Sequence, residues 1–92
     1  FFFFFYTYIL YSLSKCKFYV GQTIDIIFFF IRHNSGNVKS TKYGFPWKIV
    51  FYFEFDSRAE AMDLENKIKK SGASRFLESM NFDFNEWLSR HA

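Results

Sequence analysis

Cysteine and proline each occur once in this 92-residue sequence, as Cys16 and Pro46. One thiol excludes a disulfide within the chain. One thiol and two distant histidines, His33 and His91, make no zinc-ligand spacing. Such cysteine usage points by default to a reducing, cytoplasmic compartment, and Cys16, in a turn-like stretch, reads as a spectator. Apolar runs are too short to cross a membrane. Residues 1–14 carry no charge but are interrupted by Thr7, Ser12 and Ser14, and the apolar run 26–31 is only six residues long. A spanning helix needs ~20 apolar residues. The basic start of a secretion signal is also missing, so no membrane partner is expected. Acidic residues are scarce early: Asp25 is the only one before Glu54.

What is abundant is aromatic. Half the residues are hydrophobic, 26% are aromatic and 16 are Phe, which favours a folded chain over a disordered one. Ninety-two residues suit a single domain with one modest core. Its body is expected at about residues 5–79, with 80–92 as a tail that forms a short helix. The net charge of +3 permits a polyanionic partner without demanding one. Lys15, Lys17, Lys39, Lys42 and Lys48 fall in the first 48 residues, ahead of most of the acids.

Residues 4–12 alternate with apolar or aromatic side chains on both faces, the pattern of a central strand. A polar turn follows, then a second strand at Phe18–Thr23, antiparallel because the connection is short. Tyr19, Gly21 and Thr23 share one of its faces. Asp25 opens an expected helix to about His33, apolar all round from Ile26 to Ile31, which is either covered or an exposed patch that invites association. A long loop over 34–46 leads to a third strand, Trp47–Phe55. Strict alternation there puts Trp47, Ile49, Phe51, Phe53 and Phe55 on one face and Lys48, Val50, Tyr52 and Glu54 on the other. Ser57-Arg58-Ala59-Glu60 has the form of a capping box. The helix it opens runs to about Lys70, with Ala61, Leu64 and Ile68 as its buried stripe and Glu65 leaning towards it. Gly72 is a natural stop. Further short helices are expected at Ser74–Met80 and Asp83–Arg90, the latter docking through Phe84, Trp87 and Leu88.

Several pieces in order then form a recognisable set: Tyr8 on one strand, Tyr19-Val20-Gly21 on the next, Gln22-Thr23, His33-Asn34-Ser35-Gly36, Pro46-Trp47, and Ser57-Arg58-Ala59-Glu60-Ala61 leading to Glu65. The sequence resembles a GIY-YIG nuclease domain, most nearly the small stand-alone bacterial type similar to the N-terminal domain of the excision-repair endonuclease. The resemblance covers roughly 5–79. It implies an α/β (α+β) fold with a three-stranded antiparallel sheet flanked by helices. It also implies phosphodiester hydrolysis in DNA, as in DNA repair, with one Mg²⁺ or Mn²⁺ ion.

Carried over by position, the resemblance puts the catalytic set on Tyr8, Tyr19, His33 and Glu65, with Glu65 as the metal ligand. Magnesium keeps several waters, so one carboxylate suffices. Tyr19 would position or deprotonate the attacking water, which for a phenol of pKa ~10 needs a nearby cation. Each residue also has a plainer reading. Glu65 can pair with Lys69 at i,i+4, Tyr19 can be a packed strand tyrosine, and His33 can be a favourable charge at a helix end. Gly21 leaves room for a ligand or merely marks a bulge. Lys39, Lys42 and Lys48 can track a nucleic-acid backbone, with Tyr43, Phe45 or Trp47 for stacking, or be solvated loop charges.

The sequence departs from the family at one place. The Arg expected ten residues after Tyr19 is Phe29. Loss of such a donor costs ~10²–10³ in rate, and Arg32 lies one turn away, off the same face. Three readings follow: an endonuclease weakened by Phe29, a catalytically inactive nucleic-acid-binding module, or a protein-interaction domain that self-associates through Phe28–Phe30 and its neighbours.

Overall fold

The computed structural model describes residues 4–25, 27, 31, 34, 35 and 42–91. Its centre is strand β1, Phe5–Ser12, with β2, Lys17–Thr23, on one side and β3, Trp47–Phe55, on the other. Both pairings are antiparallel. β1 takes the middle because it has no polar face to leave in water: Thr7 to Ser12 are all buried. The two polar residues in that run are satisfied. Thr7 Oγ1 donates to the Ala61 carbonyl at 2.7 Å, and Ser12 Oγ accepts from the Lys15 N–H at 3.1 Å, closing the hairpin turn. Cys16 sits in this turn at φ 54°, exposed.

Helix α1, Arg58–Ser71, starts where the capping box predicts. The Glu60 N–H donates to Ser57 Oγ at 3.2 Å, and the Ser57 hydroxyl reaches the Glu60 carboxylate at 2.9 Å. It ends at Gly72, whose φ of 90° suits glycine and whose N–H returns to the Ile68 carbonyl. Helices α2, Ala73–Ser79, and α3, Phe84–His91, complete the described elements, with a single 3₁₀ turn at Lys42–Gly44. Ile27, Ile31 and Asn34 have helical backbone.

The two faces of the sheet differ in kind. On one, Ile9, Tyr11, Val20 and Val50 pack with Ile68, Phe76, Leu77 and Trp87 of the helices to form the main core. Tyr11, Phe18 and Phe84 meet there with ring centroids 4.8–5.0 Å apart. Phe84, Trp87 and Leu88 dock α3 onto this face as their spacing predicts. The opposite face carries a smaller group, Tyr8, Leu10 and Trp47, with Tyr19 and Ile49 against it.

Strand β3 departs from strict alternation. Its register against β1 slips between Leu10, which faces Ile49, and Ile9, which faces Phe51, so Val50 is an extra residue in a β-bulge. Before the bulge, Trp47 and Ile49 lie on the Tyr8 face and Lys48 on the helix-covered face. After it, Tyr52 and Glu54 lie on the Tyr8 face, and Phe51 and Phe53 join Val50 on the other. The expected single stripe from Trp47 to Phe55 is therefore broken in the middle. The Tyr6–Glu54 hydrogen bond of 3.2 Å and the Tyr6–Tyr52 ring contact of 5.9 Å follow from this switch.

Candidate functional site

The site builds on the register of the first hairpin. Tyr8 stands opposite Gly21, and Leu10 opposite Tyr19. Residues two apart on a strand share a face, so Tyr8, Tyr19 and Gly21 share one surface. The Tyr8 and Tyr19 rings stack with centroids 6.4 Å apart and planes 21° apart, and Tyr19 continues to the Trp47 ring at 6.0 Å. Gly21 is required by this packing. A Cβ there would overlap the Tyr8 hydroxyl and lie 2.7 Å from its Cζ. The missing side chain makes room for the phenol of Tyr8.

Tyr8 is 2% exposed. Its phenol is pushed far above the ordinary tyrosine value by burial first, then by the charges of Tyr19 and of Glu65. Tyr19 stacks against this phenol, and Glu65 on α1 adds a smaller electrostatic effect to it. Tyr8 keeps its proton at neutral pH. It can donate a hydrogen bond to a phosphate oxygen or a water, but it is a poor base. Glu65 is mostly buried, its side chain 17% exposed, and its Oε2 accepts from Lys69 Nζ at 2.8 Å. The i,i+4 pair and the inward placement therefore coexist.

The resemblance implies a metal, and the donor set limits how one could be held. Among the described residues no three His, Cys, Asp or Glu side chains converge. An all-protein cage does not fit here. A magnesium ion held by one Glu65 oxygen, waters and substrate phosphate does fit, since Mg²⁺ is bound in that way elsewhere. It would share the carboxylate with Lys69 and supply charge relief to a bound phosphate.

The structure describes some of the other expected residues and not others. His33, Lys39, Phe29 and Phe28–Phe30 lie outside the described residues. Lys42 is exposed at the 3₁₀ turn, its Nζ 5.2 Å from the Tyr43 ring centroid. Lys48 pairs with Tyr11 and so lies on the helix-covered face, away from Tyr8. Asn34 acts at the start of β3: its side-chain amide donates to the Trp47 carbonyl at 2.8 Å and accepts from the Trp47 N–H. That pair of hydrogen bonds mimics a neighbouring strand and holds the Trp47 backbone at the start of β3.

Sequence reasoning passed over two lysines as site residues. Lys15 and Lys17, at the hairpin end, line a groove of about 430 Å³ with Tyr19, Tyr43 and Trp47. Basic character was legible there, but the approach of Tyr43 to the hairpin is tertiary. Arg58 entered only as part of the motif. Its Nη1 donates to Gln22 Oε1 at 3.3 Å and its guanidinium lies 5.1 Å from the Phe5 ring centroid, tying the start of α1 to the sheet.

Comparison with known proteins bears on the family and the fold. The family model for the GIY-YIG catalytic domain matches residues 4–81. The chain belongs to the GIY-YIG family. UPF0213 proteins from two serotypes of Streptococcus pyogenes are 36% identical over 66 residues, which is 71% of this chain and 71% of each relative. A UPF0213 protein from Bacillus halodurans, solved in solution by NMR, superposes with a TM-score of 0.53 at 27% identity, over 87% of this chain and 85% of that one. The observed three-stranded antiparallel sheet with flanking helices is the architecture expected of a GIY-YIG domain. Among the described residues, no helix is long and apolar enough to cross a membrane.

Proposed function

We propose that this chain is a GIY-YIG module that binds DNA through the inherited Tyr8–Tyr19–Glu65 surface and cleaves it weakly or not at all. The observation that carries the reading is Phe29, which stands where the family resemblance calls for a cation at the phosphate. Glu65, the one carboxylate of the set, is paired with Lys69 and would share that carboxylate with any metal. What persists is Tyr19 beside the basic groove at Lys15 and Lys17. Its test is anisotropy of a labelled DNA in EDTA over a salt series. Affinity should fall linearly with salt on logarithmic axes. Affinity that does not change with salt would remove the reading.

A second reading is the weakened endonuclease of the resemblance, metal-dependent and acting on phosphodiester bonds. The Tyr8–Tyr19 stack, with the Glu65 charge acting on the Tyr8 phenol, favours it. Tyr8 would hold a phosphate, Tyr19 would place the water, and Glu65 would hold one Mg²⁺ or Mn²⁺. His33, Lys39 and Lys42 would add contacts. Nicking that requires metal and disappears in Glu65→Ala would establish it. Self-association is a separate proposal. Ile27 and Ile31, which flank Phe28–Phe30 in the sequence, are 64% and 60% exposed. Sedimentation of the native chain and of Phe28→Lys across concentration tests it.

A further inference from the structure

At the hairpin end of the sheet, Lys15 of the β1–β2 turn and Lys17, the first residue of β2, line a groove with Tyr43 and Gly44 of the 3₁₀ turn. This is the groove of about 430 Å³, with Tyr19 and Trp47 in its wall. Three features give it a chemical character. It has cations at its rim and, among the described residues, no acidic side chain in its lining. Tyr43, one of its walls, is an exposed ring at 73% exposure. Its wall at Gly44 is held tightly, because a Cβ there would collide with the Trp47 ring, 2.8 Å from Cε2. The aromatic turn is therefore seated on Trp47, and Trp47 is in ring contact with Tyr19. Tyr19, which lines the groove, is also the residue that stacks on Tyr8.

We infer that this groove takes an unpaired nucleic-acid strand, with one base stacked on Tyr43 and the flanking phosphates on Lys15 and Lys17. A base buried in a duplex offers no free face to Tyr43, whereas every unpaired base does, and exposed aromatic rings beside basic side chains are how single strands are held without sequence preference. The substrate preferred by the surface is thus a nucleic acid with an unpaired segment next to the bound phosphate. The inference rests on the DNA-binding reading above and sharpens its substrate class.

The test is binding of fluorescein-labelled oligonucleotides to the whole chain in EDTA, so that cleavage plays no part. The probes are a 15-nucleotide thymidine strand, a blunt mixed-sequence duplex of the same length and the corresponding uridine RNA strand. The single strands should bind more tightly than the duplex. Tyr43→Ala should weaken single-strand binding by roughly 5- to 150-fold, the range for loss of one stacked base, while Tyr43→Phe retains it. Lys15→Ala and Lys17→Ala should each lower the salt slope by about 0.7. Arg75→Ala on α2, which removes the same charge away from the groove, should leave that slope unchanged. Preference for the RNA over the DNA strand also supports the groove and moves its natural ligand to RNA. Tighter binding of the duplex, or an unaltered affinity in Tyr43→Ala, overturns the inference while leaving DNA binding in place. Binding of no probe overturns both.

Discussion

The Tyr8 hydroxyl occupies the space in which a side chain on residue 21 would begin. The two residues are cross-strand partners, so a Cβ on residue 21 forces the buried Tyr8 ring to shift. Gly21→Ala should overpack the site and destabilise the chain by about 1–3 kcal/mol. For a domain of this size each kcal/mol lowers Tm by ~4–8 °C. Tyr8→Phe withdraws the oxygen, so the double variant should lose less stability than the sum of the two singles in thermal melts.

The buried Tyr8 phenol makes a prediction at high pH. Its folded-state pKa is raised by burial, Tyr19 and Glu65, while the unfolded phenol titrates near ~10. The unfolded chain therefore sheds this proton first, and stability falls as pH rises above that point. The contribution is fully present below about pH 10 and is lost progressively towards the raised folded value. The slope of unfolding free energy from this one group approaches ~1.4 kcal/mol per pH unit. Urea unfolding between pH 8 and 11 should show the decline, and Tyr8→Phe should flatten it. Tyr6 and Tyr11 are raised too, also chiefly by burial, and leave part of the slope in that variant.

Thr7 Oγ1 bonds the Ala61 carbonyl in a site with no exposure, joining β1 to the first turns of α1. Thr7→Val keeps the shape and removes the donor, with an expected loss of ~0.5–1.5 kcal/mol. The bond also locates the helix that carries Glu65. Hydrogen exchange across α1 should accelerate in this variant more than across α3.

Ser57 caps α1 through its hydroxyl. Ser57→Ala should cost ~0.5–2 kcal/mol, and Ser57→Asp should restore most of it, as read by denaturant midpoints.

The parts of this fold legible in the sequence were those set by local chemistry. The two-sided burial of β1 followed from its lack of a polar face. The hairpin followed from a short polar turn, and α1 from Ser57 and Gly72. The shared face of Tyr19, Gly21 and Thr23 followed from the period of two, and Tyr8 joined it through the family resemblance. The bulge at Val50 was not legible, because nothing in Trp47–Phe55 interrupts the apolar pattern; the slip exists only against β1. It is what moves Lys48 away from Tyr8 and turns Tyr52 and Glu54 towards it. The groove was hidden for a related reason. Lys17 and Tyr43 are far apart in sequence, and their approach depends on how the 3₁₀ turn seats Gly44 on Trp47.

The central claim, that the inherited surface binds DNA and lacks efficient cleavage, is tested most directly on a supercoiled plasmid with Mg²⁺. The native chain should retard the plasmid in low salt and leave it supercoiled. Phe29→Arg should introduce metal-dependent nicks that vanish when Glu65→Ala is added. Rapid nicking by the native chain, lost in Glu65→Ala, would contradict the claim and establish the endonuclease instead.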